Sequence, residues 1–499
     1  MDRRDPHLVQ HQRINHAKLM NLPFSNISRR QFVRTTGFGL GAAALASLLG
    51  SEKAQASPNA SAGIGPSMDL DAFRTVAPKA KRVIFLCMAG GPSHLETFDY
   101  KPELARLTGK PMPESFTKGQ PLAQLQGKEL KCMGPIIPFR RHGKSGQMIS
   151  DYLPHTAKIA DEIAIIRSMV TEQINHDPAH TFMNTGTAIS GRPSMGSWVN
   201  YGLGSENQNL PGFVVMTSVG GRNPQPISSR QWDCGFLPGK YQGVEFSATG
   251  AAVNYLSNPA GMSKKQQREA IDTINRLNQQ RNETVFNPDI DTRISAYELA
   301  FRMQTSVPEL LDVSDESPAM LEMYGAVPGD GSFASNCLLA RRLVERDVRF
   351  VHLYHRGWDH HGGLEKFMPI CCDLTDKPAA ALVTDLKQRG LLDETLVIWG
   401  GEFGRTPMIQ EKGGAGRDHH IKGFSMWMAG GGVKGGVTHG ATDELGYHAV
   451  EDVVHVRDLH ATMLHLLGID ATQFMVKQQG LDMKLTGVEE PKVVHNIIA

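Results

Sequence analysis

Short apolar runs alternate with amphipathic helical patterns along the C-terminal half of the chain. The segment 332–348 has the spacing of a helix and leads into an apolar run at 349–353. The pattern repeats with a helix at 377–389 and an apolar run at 396–400. A helix before each strand is typical of a parallel α/β sheet, which binds its ligands at the carboxyl ends of its strands.

Further elements extend this pattern in both directions. The almost continuously apolar run 82–88 predicts a buried strand, and 157–167 predicts a helix followed by a strand. Residues 424–429 predict another strand, and 457–467 predict a closing helix. Two helical patterns with polar faces predict a helical insertion at about 262–316. We therefore expect one α/β domain over residues 81–499.

Histidine and acidic residues are concentrated directly after these predicted strands. Eleven of the 20 histidines lie between His352 and His465, and many belong to the motifs HRGWDHHGG (355–363), GGEFGRTP (400–407) and GRDHH (416–420). Imidazole and carboxylate groups from separate loops are the ligands of Zn²⁺, while harder ions prefer the oxygens. The pattern predicts a metal-dependent enzyme with one or more divalent ions, and it leaves zinc, calcium, magnesium and manganese as alternatives.

The N-terminus has the features of an export signal. The segment SRRQFV at 28–33 precedes a Gly/Ala-rich apolar run at 37–49 and then Ala54, Gln55 and Ala56. The apolar run is shorter than the roughly 17–25 residues that span a bilayer. The order of basic pair, apolar run and small-residue cleavage site favours a targeting segment over the alternative, a short buried helix.

This leader resembles a twin-arginine signal, with Arg29 and Arg30 as the pair. The resemblance implies cleavage after residues 1–56 and export of the folded protein by the twin-arginine translocase. The expected location is the periplasm or the outside of the cell. Residues 57–80 are rich in Ser, Gly, Ala and Pro and predict a flexible linker.

Composition excludes several other classes of protein. The chain has 52 basic and 51 acidic residues, a net charge of +1 and no basic stripe beyond the leader, so a nucleic-acid partner is not expected. Its six cysteines show no CxxC or CxxCH spacing, which argues against a zinc ribbon, attached haem and electron transfer. No stretch after the leader is long and apolar enough to predict a stable membrane span.

Several motifs resemble the alkaline phosphatase and sulfatase superfamily. LLDETLVIWGGEFGRTP is similar to the superfamily's strand and metal-binding block, and HDPAHTFMNTG at 176–186 is similar to the sulfatase nucleophile signature. Pro178, Thr185 and Gly186 match that signature. Nearly the whole mature chain resembles an exported, sulfatase-like family of unknown function marked by GGPSH, NTG, WDxHGG, GGEFGRTP and GRDHH.

The resemblance implies an alkaline phosphatase-like three-layer sandwich. We expect a mostly parallel central sheet with helices on both faces, and a hydrolase of phosphate or sulfate esters of small molecules or polysaccharides. The motifs and the resemblance together give a set of candidate metal ligands: Asp359, His361, Glu402, Asp418, His419 and Asp99. They also give three candidate catalytic residues: His176, His180 and Arg405.

Each candidate has a structural alternative. Asp359 could cap a turn, and Glu402 could pair with Arg405, which otherwise suits a tetrahedral anion. Asp418, His419 and His420 cannot all face one site from an extended strand, so we expect Asp418 with His419 as ligands.

Asp99 or His94 would replace an aspartate pair that the superfamily has after its first strand. His352, His460 and His465 are expected in the core or on a helix, while His355 and His439 could reach the site.

The nucleophile position departs from the superfamily. This chain has His176 where sulfatases carry Cys or Ser and phosphatases carry Ser or Thr. Three roles remain open: His176 attacks directly, His176 binds a metal ion whose water attacks, or the site is inactive. The second is our first choice, with His176 and His180 as ligand and general base. The competing hypothesis is a metal-containing protein that binds a sulfated or phosphorylated polysaccharide without cleaving it.

Overall fold

The computed structural model describes residues 73–499 except 222–223, 248–252, 254–257, 259–260 and 286. The predicted leader and residues 57–72 of the predicted linker therefore lie outside the described residues. The chain divides into two compact units. One comprises residues 1–61 and 258–276, of which the structure describes 258 and 261–276; the other comprises 62–257 and 277–499 and contains the sheet.

The described residues form strands and helices that we number in chain order. The strands are β1 Arg82–Met88, β2 Phe139–His142, β3 Gln147–Ser150, β4 Ile163–Val170, β5 Phe213–Thr217, β6 Val244–Phe246, β7 Phe350–His355, β8 Thr395–Gly400, β9 Gly404–Glu411, β10 Ala415–His420, β11 Phe424–Ala429, β12 Val437–His439, β13 Ala441–Thr442, β14 Ala449–Glu451, β15 Val454–His455, β16 Val476–Gln478 and β17 Leu481–Met483. The helices are α1 Pro102–Arg106, α2 Glu114–Thr117, α3 His176–Thr185, α4 Met195–Leu203, α5 Lys264–Val285, α6 Pro288–Leu311, α7 Pro318–Tyr324, α8 Phe333–Glu345, α9 Leu364–Gln388 and α10 Val456–Leu466.

Nine strands form the central sheet in the order β12, β4, β11, β8, β1, β7, β5 and β6, with β15 also paired to β4. All pairings in it are parallel except the two made by β11. Because β1, β7 and β8 are parallel neighbours, their carboxyl ends share one edge of the sheet. This mostly parallel α/β sheet confirms the predicted fold class.

A hydrophobic core lies on each face of the sheet. The side chains of β1 alternate between them: Ile84, Leu86 and Met88 join a core formed with α8 and α9, while Val83, Phe85 and Cys87 join a core with α3, α4 and α10. All seven residues of β1 are buried. A strand covered on both faces by helices explains why its sequence is apolar without alternation.

The boundaries of several elements match the sequence predictions. β1 and β11 have the predicted limits, and the segment 262–316 contains the two helices α5 and α6. Helix α9 is longer than predicted, since it begins at Leu364 directly after the WDHHGG motif. None of the described helices is long and apolar enough to cross a membrane.

Two predictions need correction. The sequence placed GEFGRTP in a loop after β8, but Gly404–Glu411 is strand β9, which pairs with β10 in a separate antiparallel hairpin. The sequence also assigned 73–80 to the linker. Phe73 is buried against Phe474, with 4.5 Å between the ring centroids, and the N–H groups of Lys79 and Ala80 donate to the carbonyl of Leu466. Residues 73–80 are therefore part of the packed domain.

The end of α3 supplies a test of the framework around the candidate site. Gly186 ends this helix with a left-handed φ of 71°, and a Cβ there would lie 1.8 Å from the carbonyl oxygen of Leu485. We expect Gly186→Ala to lower the free energy of unfolding by about 2 kcal/mol more than Gly109→Ala, because overpacking adds to the cost of the positive φ. Gly109 also has a positive φ, of 79°, but no atom within 4 Å of its Cβ position. Urea unfolding measures both variants, and equal losses would contradict this account.

Candidate metal centre

Close backbone approach brings the loops after β1 and β7 together with the start of β10. A Cβ on Gly90 would lie 2.5 Å from the backbone nitrogen of Asp359, and one on Gly416 would lie 2.4 Å from the carbonyl carbon of His361. The N–H of Trp358 also donates to the carbonyl of Ala89 at 3.2 Å. Glycine is therefore needed at both positions. As a result, the Asp359–His361 segment lies between the end of β1 and the start of β10.

The N-terminal part of α3 presents two histidines to the same region. His176 and His180 are four residues apart, so both side chains lie on one face of the helix. The Nδ1 of His176 bonds Oε1 of Glu402 at 2.7 Å, and the Nε2 of His180 lies 3.3 Å from the same oxygen. Glu402 is fully buried at the end of β8 and accepts a hydrogen bond from the N–H of Gly90 at 3.0 Å.

The hairpin β9–β10 contributes His419 and Arg405, which are paired across its two strands. Both are buried. The pairing register shifts between Arg417 and His419, so the regular alternation of side chains is broken there. Asp418 and His419 consequently have different environments.

Four side chains converge on one point: His176, Asp359, His361 and His419 each offer one ligand atom, and these atoms lie within 4.8 Å of one another. A second group with the same spacing consists of His176, His180 and Glu402. His176 belongs to both groups. Three imidazoles and one carboxylate match the nitrogen and oxygen ligands of zinc and similar borderline divalent ions.

The hydrogen bonds on the far side of two rings fix which nitrogen faces this point. The Nδ1 of His419 donates to the carbonyl oxygen of Ile174 at 2.7 Å, and the Nδ1 of His361 donates to Oε1 of Gln410 at 2.6 Å. In a neutral imidazole the Nε2 is then a lone-pair acceptor. The two Nε2 atoms nevertheless lie 2.8 Å apart. A divalent cation between the two atoms would replace this contact between acceptors with two metal–nitrogen bonds.

The spacing of the ligand atoms fits a metal ion. Nε2 of His361 lies 3.1 Å from Oδ1 of Asp359, Nε2 of His419 lies 3.4 Å from it, and Nε2 of His176 lies 3.3 Å from it. Ligands about 2.0–2.1 Å from a tetrahedral ion are about 3.3 Å apart. The Nε2 of His176 is also buried without a hydrogen-bond partner. The three distances to Asp359 are those of ligands around one divalent ion, and the two Nε2 atoms of His361 and His419, 2.8 Å apart, would separate slightly around it.

The electrostatics favour a cation over a proton at two of the rings. Burial, together with the charge of Arg405, lowers the pKa of His361. Burial, with added repulsion from Arg405 and His176, lowers the pKa of His419 to about 4 although Asp359 opposes the shift. Both rings are thus neutral near pH 7, the state in which imidazole binds metal.

The two carboxylates of the cluster are held ionised. Burial opposes the charge of Asp359, but the close contacts of its carboxylate with the rings of His176 and His419 and the charge of Arg405 hold its pKa far below the ordinary value. Burial likewise opposes the charge of Glu402, but His180 and His176 lower its pKa to about 2. Ionised carboxylates are the form that binds or orients ligands of a cation.

Asp418 has surroundings different from those expected of a ligand. Its Oδ2 accepts the backbone N–H groups of Gln124 at 2.6 Å and Leu125 at 2.8 Å, and its Oδ1 accepts the N–H of His419 at 2.9 Å. It belongs to neither of the two groups of candidate ligands. Its Oδ1 lies 3.7 Å from Nδ1 of His361, the ring nitrogen that faces away from the other ligand atoms. The carboxylate anchors a loop, because its oxygens are occupied by backbone donors.

Asp99 and Arg405 also differ from their predicted roles. The Oδ1 of Asp99 pairs with Lys101 at 3.0 Å, and its Oδ2 accepts from Thr442, so its partners lie outside both groups of candidate ligands.

Arg405 does not pair with Glu402. It donates to Asp359 at 2.7 Å and to the carbonyls of Gly91, Gly90 and Arg417. With its guanidinium 1% exposed and bonded in this way, Arg405 orients Asp359 and does not face an incoming anion.

Two glutamines near His361 were missed by the sequence reasoning. Gln410 fixes the His361 ring, and Gln124 places its amide nitrogen 3.2 Å from Nε2 of that ring. Neither residue belongs to a charged or histidine motif, so no sequence signal marks them.

Of the other histidines, His352 is fully buried in the sheet, and His355 accepts a hydrogen bond from the indole N–H of Trp358 at 3.1 Å.

Comparison with known proteins gives a family. A family model matches residues 80–498 of this chain. The chain therefore belongs to this family, which is described as "Protein of unknown function (DUF1501)". The match covers nearly all of the predicted mature domain, in agreement with a family of unknown function expected from the motifs. No curated protein is significantly similar to the chain.

Three of the solved structures with some likeness to the chain are a sulfatase, a phosphonate monoester hydrolase and an alkaline phosphatase. A PsFucS1 sulfatase from Pseudoalteromonas sp. has 12% identity and a TM-score of 0.32, with 81% of this chain and 73% of that chain covered. A phosphonate monoester hydrolase from Silicibacter pomeroyi has 11% identity and a TM-score of 0.31, covering 69% and 71%. Alkaline phosphatase from the Antarctic bacterium TAB5 has 10% identity and a TM-score of 0.28, covering 72% and 94%. At such low identity and TM-score, these likenesses carry no information on the substrate.

Metal binding distinguishes the ligands from the loop anchor. We expect Asp359→Asn and His419→Ala to weaken zinc binding at least about a hundredfold, since each removes a direct ligand. Asp418→Asn should retain zinc affinity within about tenfold. His465→Ala, a half-buried histidine on α10, is the control for loss of an imidazole elsewhere. Competition with a chromogenic chelator measures the zinc affinity of all four variants. If Asp418→Asn weakened zinc binding as much as Asp359→Asn does, Asp418 would be a ligand after all.

Proposed function

We propose that this protein is a metal-dependent hydrolase of phosphate or sulfate esters. The observation that carries the proposal is the convergence of three imidazole nitrogens and one ionised carboxylate oxygen on a single point at the edge of the sheet. Asp359, His361, His419 and His176 would hold a divalent ion there. Such an ion supplies Lewis acidity toward the ester and a water molecule of lowered pKa.

The remaining side chains orient these ligands. Glu402 accepts the proton of Nδ1 of His176 at 2.7 Å, which directs Nε2 toward Asp359. A carboxylate behind an imidazole in this way fixes its tautomer and raises its basicity. Arg405 holds Asp359 through a hydrogen bond of 2.7 Å. Each ligand therefore has a partner that sets its direction before a substrate arrives.

His176 is the group through which the protein would act on the substrate. Its side chain is 14% exposed, whereas those of His180 and Glu402 are completely buried. Burial lowers the pKa of His176, but its contacts with the carboxylates of Asp359 and Glu402 outweigh burial and raise it overall. A ring with raised basicity, held by Glu402 at Nδ1, can bind the ion or accept a proton at Nε2. Burial lowers the pKa of His180, which can reach a substrate only through Glu402 and His176.

One observation favours the competing hypothesis of a binding protein without turnover. Arg405, the guanidinium expected to stabilise a reacting anion, is occupied by Asp359 and by backbone carbonyls. A site of this kind could hold a sulfated or phosphorylated polysaccharide through the ion alone. Bound metal with no turnover of any ester by the wild-type protein would favour this hypothesis.

The experiment is an ester screen of the zinc-loaded and manganese-loaded protein with phosphomonoesters, phosphodiesters and sulfate esters. We expect turnover of at least one class and a loss of at least about a hundredfold in His176→Ala with the fold preserved. Rapid quench separates the roles: a phosphohistidine with normal metal content indicates direct attack, and loss of stoichiometric metal indicates a ligand. His465→Ala is the control. Full metal and full turnover in His176→Ala would remove His176 from the mechanism.

We also propose that the protein is exported by the twin-arginine pathway, on the pattern of residues 28–56. Arg29→Lys together with Arg30→Lys should retain the precursor in the cytoplasm, because the paired arginines are the signal that the translocase reads. Arg34→Lys removes a nearby arginine outside the pair and serves as the control. Cell fractionation with immunoblotting gives the location, and unchanged export of the doubly substituted protein would contradict this assignment.

A further inference from the structure

The loop at residues 118–130 passes beside His361 of the candidate metal centre. Its base is tied to the body by bridges between Pro111 and Lys131 and between Cys132 and Met408 of β9. Leu125 is 2% exposed and packs in a small apolar cluster with Met408. The partly buried Leu122 and Leu130 pack against the same cluster, so the loop is held at its base and along its apolar side chains.

Asp418 fixes the part of this loop nearest to the ligands. Its buried carboxylate accepts the N–H groups of both Gln124 and Leu125, at 2.6 Å and 2.8 Å. Two bonds from consecutive backbone amides to one carboxylate oxygen are strong and define the direction of the loop. The neighbour of Asp418 in the chain is His419, so the loop is attached to the same strand that carries a ligand.

The side chain of Gln124 is directed from this loop into the centre. Its Oε1 accepts a hydrogen bond from Nε2 of Gln410 at 3.1 Å, which leaves its NH₂ group facing Nε2 of His361 at 3.2 Å. Gln124 itself is an exposed residue, so its amide lies between the ligands and solvent. An amide nitrogen with two protons can satisfy one bond to an acceptor and still donate a second.

We infer that Gln124 binds a substrate oxygen at the candidate metal centre. When a cation takes the lone pair of Nε2 of His361, the NH₂ group of Gln124 loses that acceptor. A tetrahedral phosphate or sulfate group placed at the ion offers oxygen acceptors at the same location, and a neutral amide binds them without a charge of its own. The inference rests on the proposed function and adds a specificity role to it, with Asp418 as the positioning residue for the loop.

The first experiment measures binding of inorganic phosphate to the zinc-loaded protein by calorimetry. We expect Gln124→Ala to weaken phosphate binding by about tenfold, the effect of one lost hydrogen bond, while zinc affinity is unchanged. Gln124→Glu should weaken phosphate binding further by repulsion of like charges, without loss of zinc. Gln126→Ala, an exposed glutamine of the same loop, is the matched control.

The outcomes separate this inference from the proposed function. Wild-type protein that takes up no zinc would overturn both. Zinc binding with wild-type phosphate affinity in Gln124→Ala and Gln124→Glu would overturn the role of Gln124 alone. Loss of zinc together with phosphate in Gln124→Ala would also contradict it, because the side chain would then maintain the ligand set and not the substrate.

The second experiment tests the anchor by limited trypsin digestion of the full protein. Asp418→Asn should speed cleavage after the exposed residues Lys118 and Lys128 by several-fold, because the loop loses charge-assisted bonds. Asp161→Asn is the matched control, since Asp161 accepts the backbone N–H groups of Lys144 and Ser145, both at 2.8 Å, in another loop. Equal cleavage of the 118–130 loop in wild type and Asp418→Asn would show that Asp418 does not hold it.

Discussion

One carboxylate oxygen imposes the electrostatic constraint on which the centre depends. Oδ1 of Asp359 has three imidazole nitrogens within 3.4 Å, from His176, His361 and His419, and a guanidinium at 2.7 Å. At His361 and His419, the outer hydrogen bonds make the inward nitrogen an acceptor. A proton can relieve only one contact between two acceptors, whereas a divalent cation satisfies all four ligand atoms at once. A buried acceptor that is left with neither a donor nor a cation costs about 1–3 kcal/mol.

The backbone of the fold brings these ligand atoms close together. The sheet places the ends of β1, β7 and β8 side by side, but strand ends about 4.8 Å apart do not by themselves bring ligand atoms to 3.3 Å. Gly90 and Gly416 remove the side chains that would keep the loops apart. The hairpin β9–β10 then brings His419 to the centre from outside the sheet. Sheet, glycine contacts and hairpin are all required, so the centre depends on long-range packing.

The sequence predicted the framework better than the details of the centre. Continuous apolar runs identified β1 and β11 because strands covered on both faces are apolar throughout. The hairpin was missed because GGEFGRTP contains the glycines and proline of a turn, and pairing with β10 outweighs that local signal. The sequence could not separate Asp418 from His419, because the register shift between Arg417 and His419 breaks the alternation used for that choice. Gln410 and Gln124 act on His361 from 49 and 237 positions away, and neutral amides give no motif.

The place of Arg405 determines how an anionic substrate could be recognised. Its guanidinium is bonded to Asp359 and to three backbone carbonyls, so moving it toward a substrate would leave buried acceptors unsatisfied. The positive charge opposite a phosphate or sulfate group would therefore come from the ion. Direction and selectivity would come from neutral donors at the exposed side, where Gln124 lies. Arg405 would then orient the metal ligands, while the 118–130 loop would contact the substrate. A loop with that role must be held in a fixed position, and the buried carboxylate of Asp418 holds it there.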